Sequence, residues 1–290
     1  MGGTSSKERR EAAAKTGILS LHDMDMRSWE RLARKLEKVE RARTLTLSGN
    51  RLSHPIPPSF LRLSVWRSLC SVDLSANGLC CACALGCGGT LPDGPPEVLP
   101  LEVLNLSQNR LRALPPLLCT RFPRLRKLVC QRAGAALELD GGLAAHLGAS
   151  AALEVVDLSG CGLREALLIG EGWRGAERES PFPALRELLL AGNAIGGTFR
   201  LAPPSAVSQQ RFPQLKRIVL DAPEAVLERV DPDVYRCATH INSLSLKGHT
   251  NEGALLDALR LSDTYKRWQI DHAEVVNRQA AGGRDVELIP

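Results

Sequence analysis

Residues 101–111 read LEVLNLSQNRL, and this stretch decides the fold. Leu104 and Leu106 flank one residue, Asn109 follows three positions later, and Leu111 closes the unit. Alternation with a period of two puts Leu104 and Leu106 on one side of a short strand and leaves Val103 and Asn105 on the other. Asn109, polar at the border of an apolar run, is suited to bond the backbone of neighbouring turns. A unit this short cannot bury its own apolar side, so copies of it must stack.

Such copies are present. The same frame is met at Leu45, Leu47, Asn50 and Leu52; at Val72, Leu74, Asn77 and Leu79; and at Leu188, Leu190, Asn193 and Ile195. At Val156, Leu158, Cys161 and Leu163 a cysteine, small and weakly polar, stands in for the asparagine. Three weaker copies lack it, at Leu128/Cys130, Ile218/Leu220 and Leu244/Leu246, and Leu19, Leu21, Met24 and Met26 begin the array. The copies start at Thr16, Ala42, Leu69, Leu101, Leu125, Leu153, Leu185, Leu215 and Ile241. Their uneven spacing places insertions in some return segments. An ordinary α/β domain with a few leucine-rich strands does not account for five near-complete copies. The expected fold is an α/β leucine-rich repeat solenoid, a horseshoe with a parallel sheet on its concave side.

The expected organisation is a flexible tail over 1–15, the solenoid over 16–250, a C-terminal capping helix over 251–278 and a second tail over 279–290. Residues 27–41, RSWERLARKLEKVER, place Trp29, Leu32, Leu36 and Val39 on one helical face. That face is expected to pack on the convex side, in preference to lying on a membrane surface. Leu255, Leu256, Leu259 and Trp268 are available to cover the last repeat, because an open solenoid end exposes core.

The residues between the core leucines point away from the core and form two rows. One is Thr46, Asp73, Asn105, Val129, Asp157, Leu189, Val219 and Ser245; beside it run Thr44, Ser71, Val103, Lys127, Val155, Glu187, Arg217 and Ser243. Val103, Val129, Val155, Leu189 and Val219 are read as an apolar stripe, rimmed by Asp73, Lys127, Asp157, Glu187 and Arg217. Aliphatic residues also favour strands for their own sake. The partner-binding candidates are these ten residues with Asn105, and the expected partner is another protein.

Other classes of function find little support. Net charge is +5, and basic residues alternate with acidic ones, so nucleic acid is not expected as a partner. The six histidines are scattered, and no phosphate loop, nucleophile elbow or HExxH motif occurs, so no catalytic residue and no cofactor is expected. Nine cysteines without a secretory signal read as reduced thiols. Cys80, Cys81, Cys83 and Cys87 are irregularly spaced, which suits a solvated loop better than a zinc site or a lipid anchor, and no metal is expected. No run approaches the roughly 18 apolar residues of a membrane span.

The start, Met1-Gly2-Gly3-Thr4-Ser5-Ser6-Lys7, fits the N-myristoylation signal with Gly2 as acceptor. One myristoyl chain binds bilayers with K on the order of 10⁴ M⁻¹, so weak, reversible membrane association is expected. Met1-Gly2, the Lys15-Thr16-Gly17 lead into the first strand and the Asp263-Thr264-Tyr265-Lys266 segment together resemble the small myristoylated members of the cytosolic leucine-rich repeat family. That resemblance implies architecture and N-acylation and brings no catalytic residue. The expectation is a monomeric, non-catalytic scaffold or adaptor in the cytoplasm, peripheral on the cytosolic side of a membrane. The alternative is a regulatory or targeting subunit of an enzyme such as a phosphatase or ubiquitin ligase.

Overall fold

The computed structural model describes residues 12–273 except 38, 40, 83–84, 86–97, 135–136, 140–141, 165–179, 203–211 and 224–226. In each copy the alternating leucines produce a three-residue strand. These are β1 (Ile18–Ser20), β2 (Thr44–Thr46), β3 (Ser71–Asp73), β4 (Val103–Asn105), β5 (Lys127–Val129), β6 (Val155–Asp157) and β7 (Glu187–Leu189). Two segments outside that series, β8 (Gly197–Phe199) and β10 (Leu227–Val230), alternate with β9 (Arg217–Val219) and β11 (Ser243–Ser245). Nine strands form one parallel sheet in the order β1-β2-β3-β4-β5-β6-β7-β9-β11. All pair in register, Leu45 opposite Val72, Val72 opposite Leu104, Leu104 opposite Leu128 and onward to Leu244. The fold is the expected leucine-rich repeat solenoid.

Two local devices turn the chain after each strand. The residue before the asparagine position is left-handed in eight copies: Asp23, Gly49, Ala76, Gln108, Arg132, Gly160, Gly192 and Gly248 all have positive φ. Only in the copy holding Ala222 is it absent, because Pro223 follows and restricts the preceding residue to extended backbone. Glycine suits this position, and at Gly49 a Cβ would collide with the Asp23 carboxylate. The second device is Phe-Pro-x-Leu: Leu125, Leu185 and Leu215 each donate a backbone hydrogen bond to Phe122, Phe182 and Phe212, which are fully buried. Proline at the second position presets that turn.

The asparagines tie the copies together. Asn109 Nδ2 donates to the Leu106 carbonyl in its own copy (2.8 Å) and to the Leu74 carbonyl of the copy before (3.0 Å), while its Oδ1 accepts from Leu79 N (3.1 Å). Asn50 bonds Leu47 and Leu21, Asn77 bonds Leu74 and Leu47, and Asn193 bonds Leu190 and Leu158 in the same way. Cys161 Sγ reaches the Cys130 carbonyl, and His249 Nε2 reaches the Leu220 carbonyl at 2.8 Å. His249 therefore fills the position in a copy that lacks the asparagine.

Two of the eight junctions have no such rung, since the position holds Ala133 in one and Pro223 in the other. Both are closed instead by parallel backbone pairing on the far side of the same copies. An isolated bridge joins Ala113 to Glu138 where Ala133 stands, and β8 pairs with β10 where Pro223 stands. The Leu106 and Leu190 carbonyls keep the donation of Asn109 and Asn193 in their own copies, so what these junctions lack is the side-chain link between copies, and the backbone pairing supplies a link in its place.

Helix α1 (Trp29–Leu36) is capped by Ser28, whose Oγ accepts from Arg31 N. It buries Trp29, Leu32 and Leu36 on the convex side, and Trp29 Nε1 donates to the His54 carbonyl. Rings continue from Trp29 to Phe60 (centroids 4.8 Å), Trp66 (5.8 Å) and Phe122 (6.3 Å), linking the first, second and fourth copies through the convex layer. The apolar face is covered, which removes the membrane-surface reading of this helix. Short helices α2 (Leu118–Arg121), α3 (Leu143–Leu147) and α4 (Val234–Cys237) occupy later return segments.

Both ends depart from expectation. Residues 12–16 are helical, Ala13 is 1% exposed and Gly17 N returns to the Ala13 carbonyl, so this part of the 1–15 tail packs against the first repeat. Gly17, at φ 73°, provides the left-handed helix end. The C-terminal cap is two helices, α5 (Glu252–Leu261) and α6 (Asp263–Asp271), in place of one. Ser262 breaks them: its backbone is extended and its Oγ accepts from Tyr265 N, starting a new helix. Leu255, Leu259, Tyr265 and Trp268 are buried, and Trp268 Nε1 donates to the Thr239 carbonyl. Residues 274–278 and the tail beyond lie outside the described residues.

Candidate partner-binding face

Registered pairing fixes how the concave residues sit. One row runs Val103, Lys127, Val155, Glu187, Arg217, and its neighbour runs Asn105, Val129, Asp157, Leu189, Val219. Val103, Val129, Val155 and Leu189 therefore alternate between rows, and Val219 follows Leu189 in the same row. Strands lie ≈ 4.8 Å apart, so the apolar surface zigzags across the sheet, with Lys127 between Val103 and Val155 and Asp157 between Val129 and Leu189. A charge stands inside the zigzag as well as at its rim.

Exposure sorts the candidates. Val103, Val129, Val155, Leu189, Asp73, Asn105, Glu187 and Arg217 are half-buried and Lys127 is exposed. Asp157 and Val219 are covered, at 5% and 8%, and cannot offer the surface expected of them. Val219 is walled by its register partners Leu189 and Ser245. Asp157 is engaged from within: Oδ2 accepts from Gln131 Nε2 (2.6 Å) and Oδ1 from Ser159 N (3.0 Å).

The second of those bonds repeats. Asp73 Oδ1 accepts from Ser75 N and Asn105 Oδ1 from Ser107 N, each from two residues on. Asp-Leu-Ser and Asn-Leu-Ser are thus Asx turns that end the strand. This gives the three polar candidates a structural task, and leaves one carboxylate oxygen of Asp73 and the amide nitrogen of Asn105 toward the concave side.

A third row lies one residue earlier, charged in six copies: Arg43, Glu102, Arg126, Glu154, Arg186 and Lys216. Their backbone amides extend the sheet, Arg126 N to the Glu102 carbonyl and Lys216 N to the Arg186 carbonyl among them. Arg126 pairs with Glu154 at 2.8 Å. The signal was legible as a charged residue after the first leucine of five units, those starting at Leu101, Leu125, Leu153, Leu185 and Leu215 (LE, LR, LE, LR, LK). It widens the face from two rows to three and gives it mixed charge.

Gly2, Cys83 and Cys87 lie outside the described residues; of that cysteine group Cys80 is exposed and Cys81 half-buried. Among the described residues no group of three or more His, Cys, Asp or Glu is arranged to hold a metal. The buried thiols are inert: burial pushes Cys119 up to about 12 and raises Cys130 and Cys161 above the ordinary thiol range.

A stacked, in-register array with a concave parallel sheet and capped ends is the architecture of leucine-rich repeat proteins. The Leucine Rich Repeat family model matches residues 41–63 and 100–121, around β2 and β4. No curated protein matches the chain in sequence. Among solved structures, the crystal structure of a TLR13–ssRNA13 complex is similar at TM-score 0.58 and 16% identity, covering 86% of this chain and 31% of that one. The chain thus spans less than a third of that protein's length, and the likeness is one of fold. A PEPR1–AtPEP1 complex (TM-score 0.43, 17% identity, 74% of this chain and 26% of that one) and the GASSHO1/SCHENGEN3 ectodomain from Arabidopsis thaliana (0.38, 19%, 74% and 28%) are more distant in shape.

Proposed function

We propose that this chain is a non-catalytic scaffold that docks a partner protein on its concave sheet. The observation that carries the reading is the zigzag of Val103, Val129, Val155 and Leu189, which reaches solvent across four adjacent strands and carries no covering element among the described residues. Aliphatic area costs about 25 cal/mol for each Å² left in water, and a partner that covers it recovers that energy. Interspersed Lys127, Glu187 and the outer charged row supply orientation. In a pull-down, Val129→Glu with Leu189→Glu should abolish partner capture while Tm stays within a few degrees; capture undiminished by the double change refutes the concave face as the dock.

A regulatory or targeting role draws on a different surface. Leu261 and Ile270 of the capping helices are 73% and 75% exposed, which suits a second contact made by the cap. The proposed reversible membrane tether rests on Gly2. Among the described residues no helix is long and apolar enough to cross a membrane. Gly2→Ala should move the protein from the membrane fraction to the soluble one, and an unchanged distribution removes the tether.

A further inference from the structure

Beside Asn109, where the strands turn into their return segments, a cavity of about 510 Å³ opens to solvent. Arg110, Arg112 and Arg132 line it, over a floor that includes Gly134 and Gly160. Leu111 is buried, so Arg110 and Arg112, two residues apart, both stand outward on the same side.

Three features define this place. Firstly, the arginines are unpaired: none makes a side-chain hydrogen bond or ion pair with any described residue. The equivalent residue two copies earlier behaves differently, since Arg51 Nε pairs with Asp25 at 2.9 Å. Arg110 has Gly78 in the position of Asp25 and is left without a carboxylate. Secondly, Arg132 holds a left-handed backbone, φ 50°, as Asp23, Ala76 and Gln108 do in their copies, at a position that is glycine in the next two copies. A non-glycine residue there carries backbone strain, which glycine would relieve. Thirdly, the glycines make the room. A Cβ on Gly160 would lie 3.0 Å from Arg132 Cγ, and one on Gly134 would run into the Leu111 carbonyl.

We propose that Arg110, Arg112 and Arg132 form a binding site for a phosphate monoester carried on a peptide segment of a partner protein. Three guanidiniums with no compensating anion among the described residues exceed what one carboxylate neutralises. A phosphomonoester presents about −1.5 to −2 charges and three terminal oxygens, and planar guanidiniums match that geometry. The inference rests on the reading of the chain as a protein-binding scaffold and adds a second, charge-specific contact at the edge of the sheet.

The test is fluorescence anisotropy of the full chain with a labelled Gly/Ser peptide bearing one phosphoserine, its unphosphorylated twin and a single-stranded oligothymidylate of similar length. The phosphopeptide should bind at least about tenfold more tightly than its twin, and Arg132→Gly or Arg110→Gln with Arg112→Gln should each lower its affinity about five- to tenfold. Arg132→Gly removes backbone strain, so its Tm should hold or rise, which separates a lost contact from a lost fold. Equal binding of the two peptides, phosphopeptide affinity unmoved in both variants, or tighter binding of the oligothymidylate overturns the proposal. Val129→Glu with Leu189→Glu should leave phosphopeptide binding intact; if partner capture survives that change while phosphopeptide binding follows the arginines, the concave dock fails and this site stands.

Discussion

Asn109 lies between two copies and closes four hydrogen bonds to their backbones, counting a further donation to the Ser107 carbonyl at 3.2 Å. Asn109→Ala removes them all: Leu74 keeps Asn77 and Ser107 keeps Ala76 N as donors, but the Leu106 carbonyl and the Leu79 N–H lose theirs. A loss of about 2–4 kcal/mol is expected in urea unfolding, larger than for an exposed asparagine. The frame of leucines and asparagines was readable because each has one interior task dictated by spacing. The left-handed residue beside the asparagine was harder to see. Gly49, Gly160, Gly192 and Gly248 announce it, but Gln108, Ala76 and Arg132 hide it behind side chains that tolerate φ near 50° at a cost. His249 was likewise passed over, because its role is visible only when it is counted in the asparagine column and its ring found against the Leu220 carbonyl.

Elements answer to pairing more than to composition. Glu138 N donates to the Arg112 carbonyl in the bridge that closes the junction at Ala133. Glu138→Pro deletes that donor, and should cost about 1–3 kcal/mol and speed amide exchange in the two copies that flank it, more than the same change at an exposed return segment. Such pairings are not legible beforehand, since one to three residues of pairing carry no periodicity. The capping segment shows the opposite case. Its apolar residues were found, yet Ser262 was read as interior to one helix, because a serine is tolerated mid-helix and only its bond to Tyr265 N reveals a cap. On the concave face the row assignments were sound from alternation alone, whereas the covering of Asp157 and Val219 depends on neighbours one copy away.

For the whole molecule, a continuous core threaded by buried ionisable groups gives an alkaline limit. Cys119, Cys130 and Cys161 are raised from 9.0 by burial, and Tyr235 and Tyr265 from 10.0 by the same cause. Raised acids keep their protons in the folded chain, so their contribution is complete below about pH 9. Above it the unfolded chain releases protons the folded one retains, and stability falls as pH climbs toward 12. Tm should decline steeply between pH 9 and 11 with little change from pH 6 to 8, and exposed Cys80 should react with a disulfide reagent at pH 8 long before the buried thiols do. The two rungless junctions set a further rule, for anyone who would cut or lengthen this array. Where a side chain crosses between copies, a unit brings its own connector and can be excised or duplicated singly. The copies of β4 and β5, and those of β7 and β9, hold each other by reciprocal backbone strips, so each couple is an indivisible cassette and any splice placed inside it leaves two unmatched ends.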